Sequence, residues 1–95
     1  MPIEIGNLLS ESKLKEQAGD MNLALELAQE ALQHSQQENL TDLYTQSRVQ
    51  LAHLLTRIGR YSEAYKIAED ILQENRNNTE AVEALIILEI GRAHV

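Results

Sequence analysis

The sequence predicts an all-α fold of antiparallel helical hairpins, about five helices in all, stacked side by side as an α-solenoid. Three observations carry that reading. The chain echoes itself at one offset of forty residues, with Gly19 matching Gly59, Ala24 matching Ala64, Ala28 matching Ala68, Leu32 matching Leu72 and Leu14 matching Leu54. Repeats of that length mark stacked supersecondary units rather than an enzyme core. Apolar residues also recur at three- and four-residue steps through most of the chain, which sets them on one face of a helix. Finally, Pro2 is the single proline, and it stands where it interrupts nothing.

Each element follows in order. The first helix, near 4–18, carries Leu8, Leu9, Ser12 and Leu14 on its apolar side. Gly19 closes it, because helices often end on a residue in the left-handed region, which glycine enters without strain. The second, near 22–37, repeats the pattern with Leu23, Ala24, Leu27, Ala28, Ala31 and Leu32. A polar stretch at 36–42 separates the two units, with Asn39 or Thr41 suited to cap the next helix. The third helix, near 41–58, presents Tyr44, Ser47, Leu51, Leu54, Leu55 and Ile58, and Gly59 closes it. The fourth, near 61–76, has the clearest stripe: Tyr61, Ala64, Tyr65, Ala68, Ile71 and Leu72 oppose Glu63, Lys66, Glu69, Asp70 and Gln73. Asn77, Asn78 and Thr79 lead to a fifth helix near 79–90, whose run from Ala81 to Leu88 is apolar on nearly every side. Short connections between long helices force antiparallel neighbours.

Composition narrows the function. Among 95 residues there is no Phe, Trp or Cys, and only Tyr44, Tyr61 and Tyr65 are aromatic, so the core is built from Leu, Ile, Val and Ala. A net charge of -7 argues against nucleic acid and anionic membranes as partners, since both recruit Lys and Arg. The lack of cysteine rules out disulfides and thiolate chemistry and suits a reducing compartment. A cytoplasmic location is expected, because the first residues lack the pattern of a secretory signal and no apolar run is long enough to span a bilayer.

Catalytic constellations are missing. His34, His53 and His94 are scattered without the i, i+4 spacing of ligands on one helical face, so no metal is expected. Glu26, Glu30 and Glu38 have no apolar pocket to part their pKa values. There is no Gly-x-Ser-x-Gly turn and no phosphate-cradling glycine loop. The chain reads as a non-enzyme without cofactors.

The hairpins resemble the tetratricopeptide repeat, a helix-turn-helix unit whose usual period is 34 residues, and the resemblance implies that they stack as a right-handed α-solenoid. In the second unit Leu51-Ala52 stands at the paired Leu-Gly position, Leu55 at the following aromatic position, and Ile71-Leu72 at the closing pair. Gly59-Arg60-Tyr61-Ser62-Glu63-Ala64, read as Gly-x-Tyr-x-Glu-Ala, is the most specific match. The first unit keeps Gly19-Asp20, Ala24, Ala28 and Ala31-Leu32, with Met21 in place of the tyrosine. Arg48 replaces the favoured tryptophan and Arg76 the favoured proline. The longer first spacing looks like the extended-helix variants of bacterial signalling and regulatory proteins. From Leu51 to Leu85 the spacing returns to 34, so Ala81 to Leu88 is expected to be the first helix of a third unit.

The resemblance implies a protein-interaction scaffold that binds a peptide or helical segment in a concave groove lined by the first helix of each hairpin. On that surface Gln46, Gln50, His53 and Arg57 fall on one face of the second unit, and Ser10, Lys13 and Gln17 are their counterparts in the first. Family members that grip a carboxylate use a Lys- and Asn-rich clamp where this chain has Val49 and His53, so a chaperone-type clamp is not expected.

The organisation is then repeat one at 4–37, repeat two at 41–76 and a partial third repeat at 79–88, together a domain over 1–88. The tail at 89–95 fits no polar cap. It matches the translation of a common sequencing adapter, GAGATCGGAAGAGCACACGTC, so it is expected to be non-native and the chain to be the N-terminal fragment of a larger protein. A regulatory or sensor arm of a multidomain signalling protein, its effector domain missing, is the alternative role. Ile86, Ile87 and Leu88 are expected to present an unpartnered apolar surface and to pair two copies as a homodimer through the last helix.

Overall fold

The structure, a computed structural model, describes residues 4–74 and 79–93. Among them are five helices: α1 (Ile5–Gln17), α2 (Met21–Gln37), α3 (Thr41–Arg57), α4 (Tyr61–Glu74) and α5 (Thr79–Ala93). Expected Arg76, Asn77, Asn78 and His94 lie outside the described residues. The last helix runs on to Ala93, past the end expected near 90 and through the described part of the tail.

Three turns share one geometry. Gly19 and Gly59 both have φ +86, and Asn39 has φ 57. At each, the next residue's N–H reaches back to close the helix end: Asp20 to the Lys15 carbonyl at 2.9 Å, Leu40 to Ser35 at 2.9 Å, Arg60 to Leu55 at 2.8 Å. These are Schellman closures, which satisfy carbonyls left over at a helix end. Asn39 therefore ends α2 rather than capping α3. Leu40 takes the cap position of α3 with no side-chain hydrogen bond, whereas α2 gains a true cap from Asp20, whose Oδ1 accepts from the Leu23 N–H at 3.2 Å. Positions 19, 39 and 59 set a module of one helix and one turn, and two such modules make the forty-residue echo.

Consecutive helices pack together, and so do α1 with α3 and α3 with α5, while α2 and α4 do not meet. Odd-numbered helices thus form a continuous inner row and even-numbered ones an outer row that spreads apart. An array packed this way curves toward the odd-numbered side. Its extents are 43 × 30 × 17 Å, a slab two helices thick.

Small side chains allow the close approach. Ala24, Ala28, Ala52, Ala64, Ala68 and Ala84 are at most 1% exposed and line the main core with Val49, Leu51, Leu54, Leu55, Ile71 and Ile87. Three buried serines fit between the helices without an orphaned hydroxyl. Ser12 donates to the Ala24 carbonyl at 2.7 Å, Ser35 to Leu32 at 3.0 Å and Ser47 to Leu43 at 2.7 Å. Ile5, Leu9 and Ala31 form a second, smaller cluster at the α1 end.

Two expectations change here. Leu14 is 61% exposed although its echo Leu54 is fully buried. α3 is packed by α1, α2, α4 and α5, whereas α1 meets only α2 and α3, so equivalent positions face unequal surroundings. The same holds at the spacing of 34: Leu51 is 8% exposed and Leu85 49%, because α5 meets only α3 and α4.

Candidate functional site

The inner row holds a groove of about 350 Å³ lined by Lys13 from α1, by Gln46, Val49, Gln50 and His53 from α3, and by Glu83 from α5. Four of the residues expected on the concave face, Lys13, Gln46, Gln50 and His53, meet there. Ser10, Gln17 and Arg57 do not line it; they are exposed along the same helices. Lys13 and Gln46 are also exposed, as side chains available to a ligand must be.

Gln50 has a different part. It is 4% exposed, and its Nε2 donates to Ser12 Oγ at 3.2 Å and Glu16 Oε1 at 3.0 Å. Glu16 accepts a further bond through Oε2 from Arg57 Nη1 at 2.9 Å. Ser12 in turn donates to the Ala24 carbonyl. The chain Arg57–Glu16–Gln50–Ser12–Ala24 therefore ties α3, α1 and α2 together beneath the groove. Gln50 and Arg57, expected to face a ligand, instead direct these polar groups to partners within the protein.

His53 and Glu83 face each other across α3 and α5, Nε2 to Oε2 at 3.7 Å, with side chains 39% and 44% exposed. Glu83 was absent from the expected set. Its signal was present: it is the one charged residue in the apolar run Ala81–Leu88.

A second polar cluster occupies the tryptophan position of the repeat. Arg48 is 7% exposed and forms a fork with Glu74, Nη1 to Oε2 at 2.7 Å and Nη2 to Oε1 at 2.9 Å. Its Nη2 also donates to Thr45 Oγ1 at 3.1 Å, and its guanidinium lies 4.4 Å from the centroid of the Tyr44 ring. The hydrogen bonds from Arg48, opposed by partial burial and helped by its charge, hold the Glu74 carboxyl below its ordinary 4.5. Among the described residues Arg48 Nε is buried without a hydrogen-bond partner. This cluster clamps α3 to the end of α4 on a planar cation rather than an indole.

At the last helix the expected apolar surface shifts. Ile87 is 1% exposed and belongs to the main core, so it is not free for self-association. Its place on the surface is taken by Leu85 at 49% and Ile90 at 39%, beside Ile86 at 52%. The Leu88 side chain lies outside the described residues.

Among the described residues no group of His, Asp and Glu could hold a metal ion, and no helix is long and apolar enough to cross a membrane. Curved stacking of helical hairpins around a polar groove defines the class: a helical-repeat protein of the kind that mediates protein–protein interaction. The chain matches the family model for the tetratricopeptide repeat over residues 16–86, most of its length, and it belongs to that family. No curated protein and no solved structure matches it.

Proposed function

We propose that this protein is a non-catalytic interaction scaffold that holds a peptide or helical segment of a partner protein in the groove between α1, α3 and α5, in the cytoplasm. The observation that carries this reading is the convergence of Lys13 from α1 with Gln46 and His53 from α3 on one groove. The network beneath it supports the same reading, because a surface already ordered loses little conformational freedom when a partner docks. Lys13, Gln46 and His53 are the side chains to replace, since each is at least partly exposed. Their joint replacement by alanine abolishes capture of the partner in a pulldown while the circular-dichroism melt stays unchanged. Undiminished capture by a folded triple variant moves the interface off the groove.

Self-association is a second reading, carried by the exposed Leu85, Ile86 and Ile90 on α5. A contiguous apolar strip of this kind marks an interface more often than a solvated face. The pairing then runs through those three side chains rather than through Ile87.

A further inference from the structure

The two outer walls of the groove carry opposite charge: Lys13 on α1 and Glu83 on α5, with α3 between them. Neither is neutralised along its own helix. At the three- and four-residue steps that bring a side chain alongside Lys13 on its helix the only carboxylate is Glu16, which is turned toward α3 and accepts from Gln50 through Oε1 and from Arg57 through Oε2. Lys13 has no ion-pair partner among the described residues. No Lys or Arg lies within four residues of Glu83, and its one recorded partner is His53 at 3.7 Å. The arginines of the α3–α4 region are spoken for: Arg48 by Glu74, Arg57 by Glu16 and Arg60 by Glu63.

We propose that the groove selects an extended peptide segment bearing one acidic and one basic side chain about three residues apart, the acid against Lys13 and the base against Glu83. This rests on the groove being the binding site. The spacing follows from geometry. Helices packed on either side of α3 have axes roughly 8–10 Å from it, and side chains reaching inward from both walls leave on the order of 10 Å between charges. An extended chain covers that distance in about three residues. Gln46 and the half-exposed His53, on α3, offer hydrogen bonds to the segment between the charges. Charges arranged this way reject uniformly acidic or uniformly basic segments, because one wall then meets a like charge.

Selection of phage-displayed random dodecapeptides on the intact chain tests this. The wild type is expected to enrich peptides with an acidic and a basic residue three or four positions apart. Lys13→Glu shifts enrichment to peptides with two basic residues, and Glu83→Lys to peptides with two acidic ones. A synthetic wild-type-selected peptide binds each variant about tenfold more weakly. Gln46→Trp, which fills the groove, separates the two levels of the idea. Enriched peptides that lack the charge pair yet are lost with Gln46→Trp overturn the charge selection and leave the groove standing. Enrichment untouched by Gln46→Trp, or no enrichment, overturns both.

Discussion

Replacing Glu74 by Gln removes the charge opposite Arg48 while keeping the shape of the side chain and one acceptor oxygen. Stripping one partner from a fully buried ion pair costs about 3–5 kcal/mol, and an exposed pair is worth about 0–1 kcal/mol. The Arg48 side chain is 8% exposed but that of Glu74 is 56%, so water reaches one end of the pair and screens it. A cost between those limits follows, about 2 kcal/mol for Glu74→Gln. For a domain of this size that lowers the melting temperature by roughly 10 °C. Arg48→Met behaves differently: it fills similar volume with apolar atoms and removes the orphaned Nε, so its cost is about 1 kcal/mol or less. Chemical denaturation followed by circular dichroism, on both single variants and the double, reads the coupling. In the Arg48→Met background Glu74→Gln should cost almost nothing. Equal cost of Glu74→Gln in both backgrounds would refute the clamp. The pH dependence has a definite sign. Because the folded carboxyl titrates below its ordinary 4.5, the stabilisation by Glu74 is present above that pH and is lost as pH falls through the lower folded value. The gap between wild type and Glu74→Gln should therefore close below about pH 4.5.

Other expectations are simpler. Ala64, 1% exposed, has no room for a larger side chain, and Ala64→Leu costs about 1–3 kcal/mol by overpacking, read as a lower midpoint in a thermal melt. At Asn39 the backbone already sits at φ 57, so Asn39→Gly holds or raises stability while Asn39→Ala lowers it by about 1 kcal/mol. The added Cβ of Gly59→Ala meets nothing within 4 Å, so its loss of about 1–2 kcal/mol is purely conformational. If α5 pairs two copies, Ile86→Glu yields a monomer in sedimentation at a concentration where wild type is dimeric; an unchanged mass assigns the strip another occupant.

Helix order, the two glycine turns and the alanine contacts were legible because each follows from local chemistry: a positive φ admits few residues, and a small side chain at a three- or four-residue step marks a contact. Asn39 was misassigned because asparagine serves both ends of a helix, and only the backbone angle separates the uses. Leu14 was misplaced because sequence identity reports a shared position in the repeat, not a shared set of neighbours. The groove was legible as a stripe and not as a depth. Periodicity sets Gln50 beside Gln46 and His53, but Ser12 and Glu16, which bury it, come from another helix thirty-eight and thirty-four residues away. Arg48 stood out as a departure from the repeat, yet nothing nearby in sequence announces its partner at Glu74, twenty-six residues on.

In the proposed binding role, Glu16 both stiffens the groove and leaves Lys13 unpaired. A carboxylate one turn from Lys13 would ordinarily form an i, i+3 pair with it and cancel the charge that a ligand needs. Here Gln50 and Arg57 hold that carboxylate toward α3, where it cross-links the hairpins instead. One side chain thus stiffens the inner row and frees the lysine beside it. Glu16→Ala should therefore loosen the α1–α3 contact while leaving Lys13 exposed, which lowers stability and slackens ligand discrimination. Glu16→Gln retains an acceptor for Gln50 and loses the charge pair with Arg57, whose side chain is 55% exposed, so most of the stability remains. A groove built from independent side chains would show no such ordering between the two substitutions.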